Sequence, residues 1–195
     1  KTAKLLNLAA RCCDLDKNEF YLEIGTWKGY SLVSAGYENN TLCVGIDHYK
    51  PEWDKTSTLA AEDVINVINK YDGRNLMLVD DNYKNVNLDA ILLLDGKNTS
   101  HRNMGVFYID GDHTFDEVIE SLKWAEPYLS DDALIFFDDI NFPDVQKAFY
   151  VWINNNKHNA SIIMLQRAFR SEMSGRLTDA NVGIGFGLIH YRRNP

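Results

Sequence analysis

Acidic side chains and an imidazole stand where apolar, strand-like runs end. Residues 106–109 lead into Asp110-Gly111-Asp112-His113, and residues 134–137 lead into Asp138-Asp139. If the two runs are neighbouring parallel strands, about 4.8 Å apart, the carboxylates of Asp110, Asp138 and Asp139 converge. Unit charges ~4 Å apart repel by roughly 4 kcal/mol at an effective dielectric of about 20, so either a carboxyl is protonated or a cation sits among them. Ligands that are all oxygen select Mg²⁺, Ca²⁺ or Mn²⁺ over zinc, and Mg²⁺ is the first choice. His113 would project over the same crevice, where an imidazole is suited to take a proton from a metal-acidified hydroxyl. Solvated strand ends and a histidine beside a helix, with no chemistry, are the plainer alternative.

A second group runs from a strand through a tight turn into a helix: Tyr21-Leu22-Glu23-Ile24-Gly25-Thr26-Trp27-Lys28-Gly29-Tyr30-Ser31. Gly25 and Gly29 allow the backbone to approach a ligand, the helix start offers free N–H groups to a carboxylate, and Ser31 adds a hydroxyl. The dinucleotide fingerprint G-x-G-x-x-G is absent, which weakens a dehydrogenase. Asp47 ends the next strand about twenty residues on, where an acid can accept both hydroxyls of a ribose.

The elements that must position these groups alternate. Strand-like runs occupy residues 20–24, 42–46, 76–79, 106–109, 134–137, 161–166 and 182–190. Helical patterns separate most of them: residues 55–71, residues 144–154, and a helix opened by a capping box at Thr114-Phe-Asp-Glu117 and closed by Pro127 and Ser130. This order predicts a Rossmann-like α/β fold, a seven-stranded, mostly parallel sheet with helices on both faces. About fifteen residues without apolar periodicity join the last two runs, so they should form a C-terminal antiparallel hairpin. Ligands of such sheets bind beyond the carboxyl ends of the strands, where strand order reverses.

No linker, repeat or low-complexity run divides the 195 residues, so a single domain is expected, with residues 1–19 as an N-terminal helical segment. A formal charge of −8 disfavours nucleic acid and anionic membrane as partners. The apolar runs are too short to span a bilayer, and the N-terminus lacks the apolar core of a signal peptide. Cys12, Cys13 and Cys43 have no C-x-x-C spacing, which favours a reducing cytoplasm.

In combination, Glu23-x-Gly25-x-x-x-Gly29-Tyr-Ser31, Asp47 and Phe107-Tyr-Ile-Asp110-Gly-Asp112-His113 resemble the successive motifs of the class I S-adenosylmethionine-dependent methyltransferases. The resemblance spans roughly residues 20–191. It implies that Gly25 with its neighbours Glu23, Thr26, Trp27 and Gly29 lies near the methionine portion of the donor, and Ser31 near its carboxylate. It also implies Asp47 on the ribose and Asp81 or Asn82 near the adenine, and His48, the residue after Asp47, is placed to flank the adenine. Asp110 and Asp112 close the cofactor set. Many members have glycine where Trp27 stands, and a Pro-Gly-Gly turn where this chain has Leu129-Ser-Asp-Asp132. Trp27 resembles the metal-assisted branch that includes catechol and macrolide-sugar O-methyltransferases. Catechol-like members carry a lysine as base in the place of His113.

The expectation is therefore metal-assisted O-methylation of a small hydroxylated molecule, with Asp110, Asp138 and Asp139 on the metal and His113 or a water as base. The alternatives are a metal-independent N- or O-methyltransferase and a non-catalytic module that binds adenosine metabolites. Residues 50–58 and 171–181 are expected to wall the acceptor site. The leading helix is short for a lid, which leaves room for a neighbouring subunit of a homo-oligomer.

Overall fold

The computed structural model describes residues 2–49, 57–71, 73–93, 103–167 and 185–193. Seven strands form one sheet: β1 (Phe20–Ile24), β2 (Cys43–Asp47), β3 (Leu76–Asp80), β4 (Met104–Ile109), β5 (Leu129–Asp138), β6 (Ala160–Arg167) and β7 (Gly185–Arg192). Their order across the sheet is β3-β2-β1-β4-β5-β7-β6. The first five are parallel, and β7 runs antiparallel between β5 and β6. This is the expected Rossmann-like sheet with its terminal antiparallel pair. Strand order reverses between β1 and β4, so the crevice beyond their carboxyl ends is the place for a ligand.

Alternation along the strands separates two apolar layers. Phe20, Leu22 and Ile24 of β1 join Phe107, Ile109, Ile135 and Phe137 on one face. Helix α5 (Phe115–Ala125) covers that face with Val118, Leu122 and Ala125, and α6 (Pro143–Asn155) with Val145, Ala148, Phe149 and Trp152. Tyr21, Cys43, Val106, Tyr108 and Phe136 face the other way. There α1 (Thr2–Arg11) contributes Leu6, Ala9 and Ala10, α2 (Tyr30–Gly36) contributes Leu32 and Ala35, and α3 (Ser57–Lys70) contributes Val64. Asn7 of α1 donates to the Ser34 and Tyr37 carbonyls at 2.9 and 2.8 Å, supplying partners to carbonyls that the end of α2 leaves open. A short α4 (Leu88–Leu93) precedes β4.

Two expectations need correction. The capping box is not formed: Thr114 is the N-cap of α5 but makes no side-chain cap bond, and Glu117 instead receives the Tyr83 hydroxyl and the Lys84 ammonium. Ser130 does not close that helix. β5 already begins at Leu129, where the Ser130 hydroxyl bonds to buried Glu19 and Asp132 pairs with His190 and Arg192. The segments expected to wall the acceptor site, residues 50–58 and 171–181, lie outside the described residues apart from the backbone of 57 and 58 in α3. Among the described residues no helix is long and apolar enough to cross a membrane.

Candidate active site

The turn from β1 into α2 is shaped by close approach. Gly25 has φ +91°, and a Cβ there would stand 2.1 Å from the Asp110 carbonyl oxygen. Gly29 has φ +74°, and its Cβ would meet Val64 at 2.8 Å. Between them Trp27 holds φ +41°, a region costly for a bulky residue. Its N–H donates to Asp47 at 2.7 Å, while its indole is exposed beneath the Lys28 ammonium. The backbone demand for positive φ explains a glycine at this position as readily as a strained tryptophan.

Glu23 lies under this turn, fully buried, and accepts the Tyr21 hydroxyl at 2.7 Å and the Ser31 hydroxyl at 3.1 Å. Burial pushes its carboxyl up to about 7, although those donors pull it down. The Ser31 hydroxyl is therefore engaged as a hydrogen-bond donor to Glu23. Thr26 is buried against Gly45, where a Cβ would come within 2.5 Å of its hydroxyl. Glu23, Thr26, Gly29 and Ser31 build the turn from behind, and none of them lines the crevice in front of it.

That crevice has a volume of about 440 Å³, ordinary for a small-molecule site. Gly25, Trp27, Asp47, His48, Asp81, Asn82, Asp110, Asp112 and His113 all reach its wall. Asp47 is aimed by two backbone amides, of Trp27 at 2.7 Å and of Tyr49 at 3.1 Å, and a carboxylate so held keeps lone pairs for further donors. Asp81 accepts from the Asn82 amide at 2.6 Å and the Asn85 side chain at 2.9 Å. Asn82 caps the 3₁₀ turn that carries Tyr83 into the wall. Asp112 accepts the Thr114 amide at 2.8 Å, fixing the approach to α5.

The acids meet as the strand register dictates. Ile24, Ile109 and Phe137 are level on β1, β4 and β5, so Asp110 and Asp138, each the next residue, are neighbours. Tyr108 points to the same face as Asp110 and gives its hydroxyl hydrogen to Asp138, with Asp110 at 3.2 Å. Asp139 takes φ +51°, and its backbone N–H donates to Asp138 Oδ1 at 2.9 Å. His113 stacks on Phe142, ring centroids 4.4 Å apart at 9°, which places its Nε2 2.8 Å from Asp139 Oδ2. Ligand atoms of Asp110, His113 and Asp139 all lie within 4.8 Å of one another. This cluster contains His113 together with two of the three expected acids, and the third, Asp138, shares the Tyr108 hydroxyl with Asp110.

Burial first, then the charges of Asp138, Asp139 and Glu23, hold the Asp110 carboxyl well above the usual range. Asp138 is raised by burial, against the pull of Tyr108. His113 Nε2 is buried and, among the described residues, makes no hydrogen bond despite its closeness to Asp139. An imidazole nitrogen and two carboxylates directed at common space, with excess negative charge, fit a divalent cation. Tyr49, Tyr83, Tyr108 and Phe142 escaped the sequence reading. Only Tyr108 carried a signal, its position two residues before Asp110 on a strand.

The methyltransferase domain family model matches residues 22–140. No curated protein matches the chain. The O-methyltransferase from Bacillus cereus in complex with SAH is similar with a TM-score of 0.65 at 16% identity, over 97% of this chain and 80% of that one. The O-methyltransferase TomG from Streptomyces achromogenes, involved in tomaymycin synthesis and solved with SAM, gives 0.63 at 18%, over 97% and 79%. An rRNA methylase from Streptococcus thermophilus gives 0.62 at 10%, over 99% and 95%, so this fold alone does not select an acceptor. The matched segment runs from β1 past the end of β5 and includes every strand end that meets the crevice; the chain belongs to the methyltransferase domain family, the class I enzymes dependent on S-adenosylmethionine.

Proposed function

We propose that the protein methylates a hydroxyl oxygen of a small neutral or cationic acceptor, assisted by a divalent cation held by Asp110, His113 and Asp139. The observation that carries this reading is the convergence of those three ligand atoms within 4.8 Å, with Asp110 and His113 in the wall of the crevice. The likeness to O-methyltransferases solved with SAH and SAM supports it.

For the donor, Gly25 and the amides at the start of α2 would take the methionine end, Asp47 the ribose hydroxyls, and His48, Asp81 and Asn82 the adenine. A bound cation would lower the pKa of an acceptor hydroxyl and neutralise the charge around it. Phe142 fixes the plane of His113 by stacking, and the Tyr108 hydroxyl bridges Asp138 and Asp110. With Nε2 of His113 on the metal side, the acceptor proton leaves to solvent. An imidazole among the ligands shifts the preference from Mg²⁺ towards Mn²⁺ and later first-row metals. The charge of −8 weighs against a nucleic-acid acceptor. Three free cysteines suit a reducing cytoplasm, and a second copy of the chain is our choice for what completes the acceptor side.

The test is methyl transfer from labelled donor to a panel of phenols and hydroxylated sugars, with Mg²⁺, Mn²⁺ or chelator. Metal-dependent labelling of a hydroxyl supports the proposal. Labelling unaffected by chelation would favour a metal-independent N- or O-methyltransferase in which the acids orient an amine. Donor binding with no transfer to any acceptor would favour a sensing module.

A further inference from the structure

Tyr108 is buried, 2% exposed, near the end of β4, and its hydroxyl lies between two strand ends. It donates to Asp138 of β5 and stands 3.2 Å from Asp110 Oδ2, two residues on along its own strand. The neighbouring strand repeats half of this pattern. Tyr21 of β1 is buried on the same face and donates to Glu23, again two residues on, at 2.7 Å. There the hydroxyl serves one carboxylate. On β4 it meets two, one from each of two adjacent strands.

A hydroxyl has a single hydrogen, so two carboxylates share it unequally. Asp138 has a donor on each oxygen, the Tyr108 hydroxyl on Oδ2 and the Asp139 amide on Oδ1 at 2.9 Å. Among the described residues the longer contact, at 3.2 Å, is the only side-chain hydrogen bond of Asp110. Asp110 therefore keeps lone pairs for a further partner, and His113 and Asp139 offer ligand atoms within 4.8 Å of its own. Carboxylates that ligate a cation are themselves hydrogen-bonded from behind, which sets their orientation. Tyr108 stands on a central strand, in the apolar layer with Tyr21, Val106 and Phe136, and supplies such a bond.

We propose that Tyr108 is a positioning residue for the cation: its hydroxyl, bridging Asp138 and Asp110, orients the Asp110 carboxylate toward the space shared with His113 and Asp139. This deepens the cation reading of that cluster and rests on it. Tyr108 acts through Asp110 and is not in the wall of the crevice, so removing its hydroxyl leaves the residues that line the donor site in place.

The experiment is titration of the full chain with Mn²⁺, free and bound ion being distinguished by electron paramagnetic resonance, for wild type, Tyr108→Phe and Tyr21→Phe. Each protein is also titrated calorimetrically with S-adenosylhomocysteine. Tyr108→Phe keeps the ring and removes one oxygen. The expected result is a loss of about 10–100-fold in Mn²⁺ affinity, the usual reach of a group behind a metal ligand, with S-adenosylhomocysteine affinity unchanged. Tyr21→Phe, which removes the matching hydroxyl from the neighbouring strand, should bind Mn²⁺ as wild type does. Unchanged Mn²⁺ affinity in Tyr108→Phe overturns the inference and leaves the cation site standing. Tighter Mn²⁺ binding overturns it too, by showing that the hydroxyl competes with the ion for a carboxylate. An equal loss in Tyr21→Phe, or loss of S-adenosylhomocysteine binding in step with Mn²⁺, overturns it by reducing the Tyr108 hydroxyl to a part of the fold. A wild type that binds S-adenosylhomocysteine but no Mn²⁺ would overturn the cation reading itself.

Discussion

His113 Nε2 stands 2.8 Å from Asp139 Oδ2, yet the pair lacks hydrogen-bond geometry, because stacking on Phe142 sets the imidazole plane. Two groups so close, and not directed at each other, are placed to share a third partner. Asp110 completes the set from the end of β4. This relationship separates a ligand role for His113 from a base role, since one nitrogen cannot serve both at once.

His113→Ala is expected to abolish the rise in melting temperature that Mn²⁺ or Mg²⁺ confers, with donor affinity unchanged. A base that is not a ligand would leave metal stabilisation intact and lower turnover alone, by roughly 10²–10⁴. Thermal melts with and without metal, beside donor titrations, distinguish the two.

Asp110→Asn should act with opposite signs on the two states. It removes a carboxyl whose ionisation is opposed by burial and by Asp138, Asp139 and Glu23, so wherever that carboxyl is charged the metal-free variant should melt higher than wild type, while stabilisation by metal disappears. A variant that melts lower and still responds to metal would place the ion elsewhere.

Glu23 gives a pH dependence whose sign is fixed. Its folded carboxyl titrates at about 7, above the ordinary 4.5, so the folded state keeps a proton that the unfolded chain has lost. Stability from this group is fully present below about pH 4.5 and falls as pH rises towards 7. A shift of this size is worth about 3 kcal/mol. Glu23→Gln should remove that slope, leaving wild type the less stable above pH 7 by up to that amount. Urea unfolding from pH 5 to 8 reads the difference, and parallel curves would contradict it.

Gly25→Ala tests the turn. The added methyl would stand 2.1 Å from backbone of Asp110 at a φ that L-residues avoid. Several kcal/mol of stability, of the order of known overpacking and strain costs, should be lost with donor binding. Wild-type stability measured by urea unfolding would show that the turn relaxes freely.

The strands were legible because apolar alternation and runs of β-branched residues survive in a buried sheet, and six of the seven begin within three residues of their expected positions. β5 is the exception. Ser130, Asp131 and Asp132 have the composition of a turn, and only tertiary partners, Glu19, His190 and Arg192, make a strand of them. The capping box failed for a similar reason, since Lys84 and Tyr83 outcompete the local bond for Glu117. At the site, strand ends announced Asp47, Asp110 and Asp138. That His113 rather than Asp138 falls within the 4.8 Å cluster was not legible. It depends on one tyrosine hydroxyl and one aromatic stack between residues far apart in sequence.

The crevice at the β1–β4 switch point is the proposed seat of S-adenosylmethionine. Calorimetric titration of the purified protein with S-adenosylhomocysteine tests it most directly. Saturable binding at one site per chain is expected, weakened by Asp47→Ala in a protein that remains folded, with no binding of NAD. Saturable binding of NAD with no heat from S-adenosylhomocysteine would contradict it.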